Sequence, residues 1–227
     1  MQRQIILDTE TTGIGHDNGH RIIEIGCLEL IDRKLTGEQF HVYLNPDRAI
    51  DPGAARVHGI KNSFLTDKPR FPDILEDFIV FVDDAELIIH NAPFDMGFLN
   101  AELKRAKYKK TLESHCRVLD TLVLAKKKHP GQRNNLDALC KRYDVVNGHR
   151  KLHGALLDSE LLALVYLAMT GGQTSLFGEQ DANVKNNPSQ SDKPARRLKS
   201  NSPVYPATAE ELAVHALFIK KLSKSGS

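Results

Sequence analysis

Three strand-like runs follow one another within the first 44 residues: Gln4–Leu7, Arg21–Ile31 and Gln39–Leu44. In the second run Ile23, Ile25, Cys27 and Ile31 fall on one parity, the period-two pattern of a strand with one apolar face. The link Asp32–Gly37 is short and polar, so the second and third runs are expected to pair as a hairpin. An opening unit of three antiparallel strands follows, and the rest of the chain has to be accommodated around it.

The periodicity then changes. Pro69 to Val82 carries Ile74, Phe78 and Phe81 at helical spacing, and Glu86–His90 (ELIIH) is a short apolar strand. Asn91 and Pro93 punctuate the step into a helix from Phe94 to Lys107, on which Phe98, Leu99 and Leu103 recur at three- and four-residue intervals. Cys116–Leu119 reads as a last strand. Asp120–Lys128, Asn135–Tyr143 and Ala155–Met169 read as helices, the last ended by Gly171-Gly172. A strand after a helix, followed by another helix, makes this an α/β chain with its compact domain at residues 1–172. Residues 173–203 have the polar, proline-containing composition of a flexible linker. Residues 204–227 hold one further short helix, introduced by the capping-box sequence Thr208-Ala209-Glu210-Glu211 and too short to be stable alone, so a partner is expected to complete it.

Composition narrows the class. No apolar stretch approaches the roughly 18 residues of a membrane span, and the amino terminus runs directly into a strand without the features of a signal peptide, so a cytoplasmic location is expected. Cys27, Cys116 and Cys140 are odd in number and widely spaced, which argues against a disulfide framework or a CxxC zinc site. Up to Thr170 there are 23 Lys and Arg against 24 Asp and Glu, and beyond it 8 against 5. No bulk positive field is available to attract an anionic substrate, so any grip on one must be local or use metal ions.

The acids carry the chemistry. Asp8 and Glu10 lie two apart, so if the first strand persists through Glu10 their side chains project from one face. At about 5 Å and an effective dielectric near 20, two such charges repel by roughly 3 kcal/mol. Either Asp8 caps a turn while Glu10 is solvated, or something binds both. Asp158 shares a helix face with Leu161, Leu162 and Val165, and Asp95 shares one with Phe98 and Leu99, with no Lys or Arg nearby on either face. Four inward carboxylates without a basic counterpart are most simply explained by divalent cations, which prefer oxygen ligands. His153, five residues before Asp158, belongs on the loop entering that helix. There it is either structural or a general base for water.

LDTETTG at 7–13, HNAPFD at 90–95 and LHGALLD at 152–158, in this order and spacing, resemble the three motifs of the DEDDh family of 3′→5′ exonucleases. VHGI at 57–60, PGQRNNLDALCKRY at 130–143 and YLAMTGGQTS at 166–175 extend the likeness to the proofreading branch of that family, the subunits that accompany bacterial replicative DNA polymerases. The resemblance implies a ribonuclease-H-like fold, a mixed five-stranded sheet flanked by helices, with a flexible C-terminal tail. It implies that Asp8, Glu10, Asp95 and Asp158 hold two divalent cations, Mg²⁺ or Mn²⁺, and that His153 is the general base. It also implies that Asp8, Glu10, Thr11, Thr12, His58, Phe94 and Asp158 meet the substrate, a DNA 3′ terminus from which nucleoside 5′-monophosphates are released. Gly53 stands where close relatives carry a glutamate near the nucleotide sugar, a departure that leaves the metal chemistry untouched.

Gln173, Leu176 and Phe177 resemble the short motif by which replication proteins enter the sliding clamp. A helix exit packing Leu176 and Phe177 back on the domain is the bland alternative. The tail resembles a segment that binds the polymerase (alpha) subunit, and a small accessory, theta-like subunit is a further partner of the branch. Two other functions share these features. One is an RNA-trimming exonuclease using the same site, and the other is an adaptor whose main work is to tether clamp and polymerase.

Overall fold

The computed structural model of the chain describes residues 2–147 and 152–171. The sheet is formed by β1 (Arg3–Thr11), β2 (Ile22–Ile31), β3 (Lys34–Tyr43), β4 (Glu86–Ile89) and β5 (Arg117–Asp120) in the order β3-β2-β1-β4-β5. β3, β2 and β1 are antiparallel neighbours, whereas β4 and β5 continue the sheet parallel to β1. The helices are α1 (Pro52–His58), α2 (Asn62–Leu65), α3 (Phe71–Val82), α4 (Ala92–Arg105), α5 (Thr121–Lys128), α6 (Leu136–Arg142) and α7 (Ala155–Thr170). This is the mixed five-stranded α/β arrangement that the motifs imply. The expected linker at 173–203, its clamp-like motif at 173–177 and the tail at 204–227 lie outside the described residues.

One face of the sheet, through Ile5, Leu7, Ile25, Cys27 and Leu87, packs on α3 and α4 by way of Phe78, Phe98 and Leu99. The other face, through Ile6, Leu28, Leu30 and Ile88, packs on α6 and α7 by way of Leu139, Leu161, Leu162 and Val165. β2 is therefore buried on both faces, and its alternation selects which layer a side chain enters, not whether it is buried. The single apolar face read from Ile23, Ile25, Cys27 and Ile31 is half of that pattern. Cys27, Cys116 and Cys140 are buried free thiols. Among the described residues no helix is long and apolar enough to cross a membrane.

The hairpin is tighter than the expected Asp32–Gly37 link. Ile31 pairs with Lys34, so the turn is Asp32-Arg33, with φ of 48° and 66°. Two residues of positive φ match the right-handed twist of the flanking strands. That conformation is ordinary for Asp and unfavourable for Arg. Arg33 is held there by donating to Thr170 Oγ1 (2.8 Å) and to the Leu167 carbonyl (3.0 Å), which ties the last turn of α7 to the hairpin. Helix caps follow the sequence more closely: Asp120 accepts from Leu122 N at 2.8 Å to start α5, and Asn135 accepts from Ala138 N at 3.0 Å to start α6.

Candidate active site

β1 continues through Thr11, so Asp8 and Glu10 project on the same face as Ile6, the face covered by α7. Thr9 projects on the opposite face, where α4 lies, and donates a hydrogen bond from Oγ1 to Asp95 Oδ1 at 2.7 Å. The end of β1 thus receives acids from both helical layers. Asp95 and Asp158 each sit in the first turn of their helix, where the unpaired N–H groups and the dipole favour a carboxylate. Both are 3 % exposed.

Gly26, opposite Asp8 in the β1–β2 register, sets the position of α7. A Cβ at Gly26 would lie 2.4 Å from Ala155 C and Leu156 N and 2.6 Å from Ala155 O, so the helix backbone rests directly on the strand. Ser159 Oγ donates to the Gly26 carbonyl at 2.9 Å and fixes the rotation of the first turn. Asp158 is carried to the strand end by that contact. Glu10, His153 and Asp158 each offer a ligand atom, and those atoms all lie within 4.8 Å of one another. His153 reaches Asp158 Oδ2 through Nδ1 at 3.1 Å, and its backbone N–H donates to the Val57 carbonyl of α1 at 3.1 Å.

Asp95 stands on the α4 side of the strand end, and after burial the charges of Asp8 and then Asp95 raise the Cys27 thiol further. Burial pushes the Asp95 carboxyl from its ordinary 3.8 up to about 7; the hydrogen bond from Thr9 opposes the rise, and the Asp120 charge adds to it. Between those two values the folded protein keeps a proton that the unfolded chain releases, so stability falls as pH rises through this window. In chelator, Asp95→Asn is therefore expected to melt several degrees above the wild type at pH 8 and to match it at pH 4. Thermal denaturation at the two pH values checks this; a variant less stable at pH 8 contradicts it.

Beside the acids is a cavity of about 560 Å³ whose wall includes Glu10, Thr11, His58 and Phe94. Glu10 is thus common to the cavity and the acid cluster. Phe94 packs its ring on Phe98, with centroids 4.9 Å apart. His58 Nδ1 accepts from Ile60 N at 3.0 Å, and burial lowers the imidazole below its ordinary value against the pull of Glu24. Thr12 is fully buried behind the wall and touches two residues of it: His20, Oγ1 to Nδ1 at 3.1 Å, and Asp51, whose N–H donates to the Thr12 carbonyl at 2.9 Å. Gly53 lies on the wall, and a Cβ there would meet only Arg56 Nη2 at 3.9 Å. The expected clamp residues Gln173, Leu176 and Phe177 lie outside the described residues.

Some residues that shape the site escaped the sequence reading. Gly26 announces itself weakly, as a glycine inside an apolar strand, which often marks a close backbone approach. Glu24, opposite Glu10 in register and buried, accepts from His41 Nε2 at 2.8 Å; a lone acid inside IIEIGCL is its only trace in the sequence. α1, which carries His58 and holds His153 through the Val57 carbonyl, is too short to show a period.

The Exonuclease family pattern matches residues 5–166. A protein named DNA polymerase III subunit epsilon from Escherichia coli strain K12 is 48% identical over 235 aligned residues, covering 100% of this chain and 96% of that protein. The protein of the same name from Haemophilus influenzae strain Rd is 47% identical over 234, covering 98% and 91%. Among solved structures, exonuclease X in complex with 5′-overhanging duplex DNA superposes with a TM-score of 0.56 at 27% identity, over 73% of this chain and 90% of that one. Apo exonuclease I reaches a TM-score of 0.64 at 17% identity over 76% and 43%, a likeness of fold alone. With a family match through most of its length and relatives nearly half identical from end to end, the chain belongs to the exonuclease family.

Proposed function

We propose that this chain is the proofreading 3′→5′ exonuclease subunit of a bacterial replicative DNA polymerase, hydrolysing the 3′-terminal phosphodiester to release a nucleoside 5′-monophosphate. The observation that carries the reading is the meeting of Glu10, His153 and Asp158 within 4.8 Å beside a cavity large enough for one nucleotide. Relatives named as the epsilon subunit of DNA polymerase III, aligned along essentially the whole chain, supply the setting.

The donor set suits a hard divalent cation. It consists of carboxylate oxygens with one imidazole, and Asp95 is an acid whose burial works against its charge, a penalty that a bound cation offsets. Asp8, Glu10, Asp95 and Asp158 would hold two such ions, Mg²⁺ or Mn²⁺. When bound, they supply Lewis acidity and neutralise the charge that grows on the phosphodiester. The protein's own groups do the rest. Glu10 joins cavity to acid cluster, so a nucleotide seated against Phe94 and His58 has its phosphate beside the acids. His153 takes the proton of the attacking water. Asp158, on Nδ1, fixes the imidazole's orientation and stabilises its protonated form, as the acid partner of a catalytic histidine does. Water oxygen bonds to phosphorus, the bond to the 3′ oxygen of the preceding nucleotide breaks, and that oxygen takes a proton from solvent. His153, 43% exposed at its side chain, can return its own proton to solvent.

Gln173, Leu176 and Phe177 would engage the sliding clamp, and the segment from 204 to 227 the polymerase alpha subunit. An accessory subunit on the sheet is compatible with both, and the setting is the bacterial cytoplasm. The test compares mispaired DNA, paired DNA and RNA 3′ ends as substrates for the full-length protein. Mononucleotide release fastest from the mispaired DNA end, and only with Mg²⁺ or Mn²⁺, is the expected result. A strong preference for RNA would replace the reading with an RNA-trimming one.

A further inference from the structure

A second cavity, of about 490 Å³, adjoins the nucleotide cavity at Asp51 and shares no residue with the acid cluster. Its wall carries three arginines, Arg21, Arg48 and Arg105, in a domain that has no net positive charge to spread over its surface. Two of the three are built in place. Arg21 grips the buried Glu102, Nε to Oε1 at 2.6 Å and Nη2 to Oε2 at 2.8 Å, and its Nη1 donates to the Pro46 carbonyl at 3.2 Å. Arg105 donates to the same Glu102 Oε1 at 3.4 Å and to the His16 carbonyl at 3.4 Å. A guanidinium has five N–H groups, so Arg21 keeps two unspent.

Arg48 is the third, and among the described residues it makes no hydrogen bond or ion pair. Its guanidinium lies over Gly19, where a Cβ would meet Nη1 at 3.4 Å. Gly19, with φ of 78°, closes the short turn His16–Asn18, so the turn that receives Arg105 also seats Arg48. The acid nearest in sequence is already taken: Asp47 is held by Arg70, Nε to Oδ2 at 2.8 Å and Nη2 to Oδ1 at 2.9 Å. With Glu102 set against one arginine of the wall and Asp51 against another, one positive charge is left over, the match for a single phosphodiester.

We propose that Arg48, together with Arg21 and Arg105, forms a second anion site that takes a non-scissile backbone phosphate of the DNA. The inference rests on the exonuclease reading. A planar guanidinium with free N–H groups suits a phosphate oxygen pair, and one fixed by a buried carboxylate, as Arg21 is, loses little freedom on binding it. The phosphate to be hydrolysed lies beside the acids, none of which borders this cavity, so the one held here belongs to another position of the substrate. A domain without a bulk positive field must grip DNA through such local contacts. The site holds the backbone while the terminal nucleotide alone enters the nucleotide cavity.

The test is the salt dependence of DNA binding by the full-length protein, followed by fluorescence anisotropy in Ca²⁺ with the DNA verified intact. The ligands are a single strand, a duplex whose other strand extends past the 3′ end, and thymidine 5′-monophosphate as competitor. Arg48→Ala is expected to weaken DNA binding about 10-fold at low salt, the range for a hydrogen bond to a charged group. The slope of log affinity against log salt should fall by about one phosphate contact, and Arg48→Lys should restore it. Affinity for thymidine 5′-monophosphate, which fills only the nucleotide cavity, should stay at the wild-type value. Loss with both DNAs assigns the phosphate to the cut strand, and loss with the extended duplex alone assigns it to the other. A slope unchanged with both DNAs overturns the proposal, as does an equal loss of affinity for the mononucleotide. An Arg48-dependent slope in a protein that releases no mononucleotide in Mg²⁺ or Mn²⁺ would sink the exonuclease reading and leave the anion site standing.

Discussion

Asp158→Ala is expected to lower the single-turnover rate of 3′-end hydrolysis by at least about 10³-fold, because one substitution removes two functions. Asp158 is one of the three groups whose ligand atoms meet within 4.8 Å, and it is also the partner that holds His153 through Nδ1 at 3.1 Å. Loss of the first weakens the hold on cations at the phosphodiester. Loss of the second frees the imidazole to rotate away from the water it must deprotonate. Asp158 is also a buried carboxylate, so its removal is not expected to unfold the protein. Rate and melting temperature measured together separate the roles: a folded variant within tenfold of wild type would remove Asp158 from the mechanism.

Gly26→Ala should be nearly as damaging, although Gly26 touches no substrate. The added methyl would lie 2.4 Å from backbone atoms of Ala155 and Leu156, and backbone cannot swing aside as a flexible side chain can. The first turn of α7 must move off the sheet, which breaks the Ser159 Oγ bond to the Gly26 carbonyl and takes Asp158 and His153 with it. Overpacking of this kind costs about 1–3 kcal/mol. A displacement of about 1 Å at the reacting groups costs on the order of 100-fold in rate. Chemical denaturation and single-turnover cleavage on one preparation give both numbers. Unchanged cleavage would show that α7 is not positioned by this contact.

The acids were legible because each broke a local rule. Asp95 and Asp158 stand on apolar helix faces, and Asp8 and Glu10 share one side of a strand end; these are violations that a physical reading of a sequence can detect. Their meeting point was not legible. It depends on Thr9, the unremarked residue between the two strand acids, which faces the opposite layer and binds Asp95 at 2.7 Å. It depends equally on Gly26, whose importance lies in a helix more than 120 positions later in the chain.

Strands and long helices followed their periodicity to within a few residues, whereas α1 and α2, of 7 and 4 residues, left no periodic trace. The first of these supplies His58, the Val57 carbonyl that anchors His153, and the cavity wall from Pro52 to His58. The tightness of the hairpin leaves no sequence trace for a related reason. Its turn residue Arg33 adopts a conformation that its own chemistry disfavours, stabilised by the distant end of α7.

The proposed hydrolysis requires that the acids at the end of β1 form one divalent-metal site. Mn²⁺ titration followed by electron paramagnetic resonance, on full-length wild type, Asp8→Asn and Asp158→Asn with thymidine 5′-monophosphate present, tests that most directly. Saturable binding of two Mn²⁺ per chain in the wild type, with at least one ion lost in each variant, is the predicted result. Wild-type stoichiometry retained in both variants, or no saturable binding in the wild type, would contradict it.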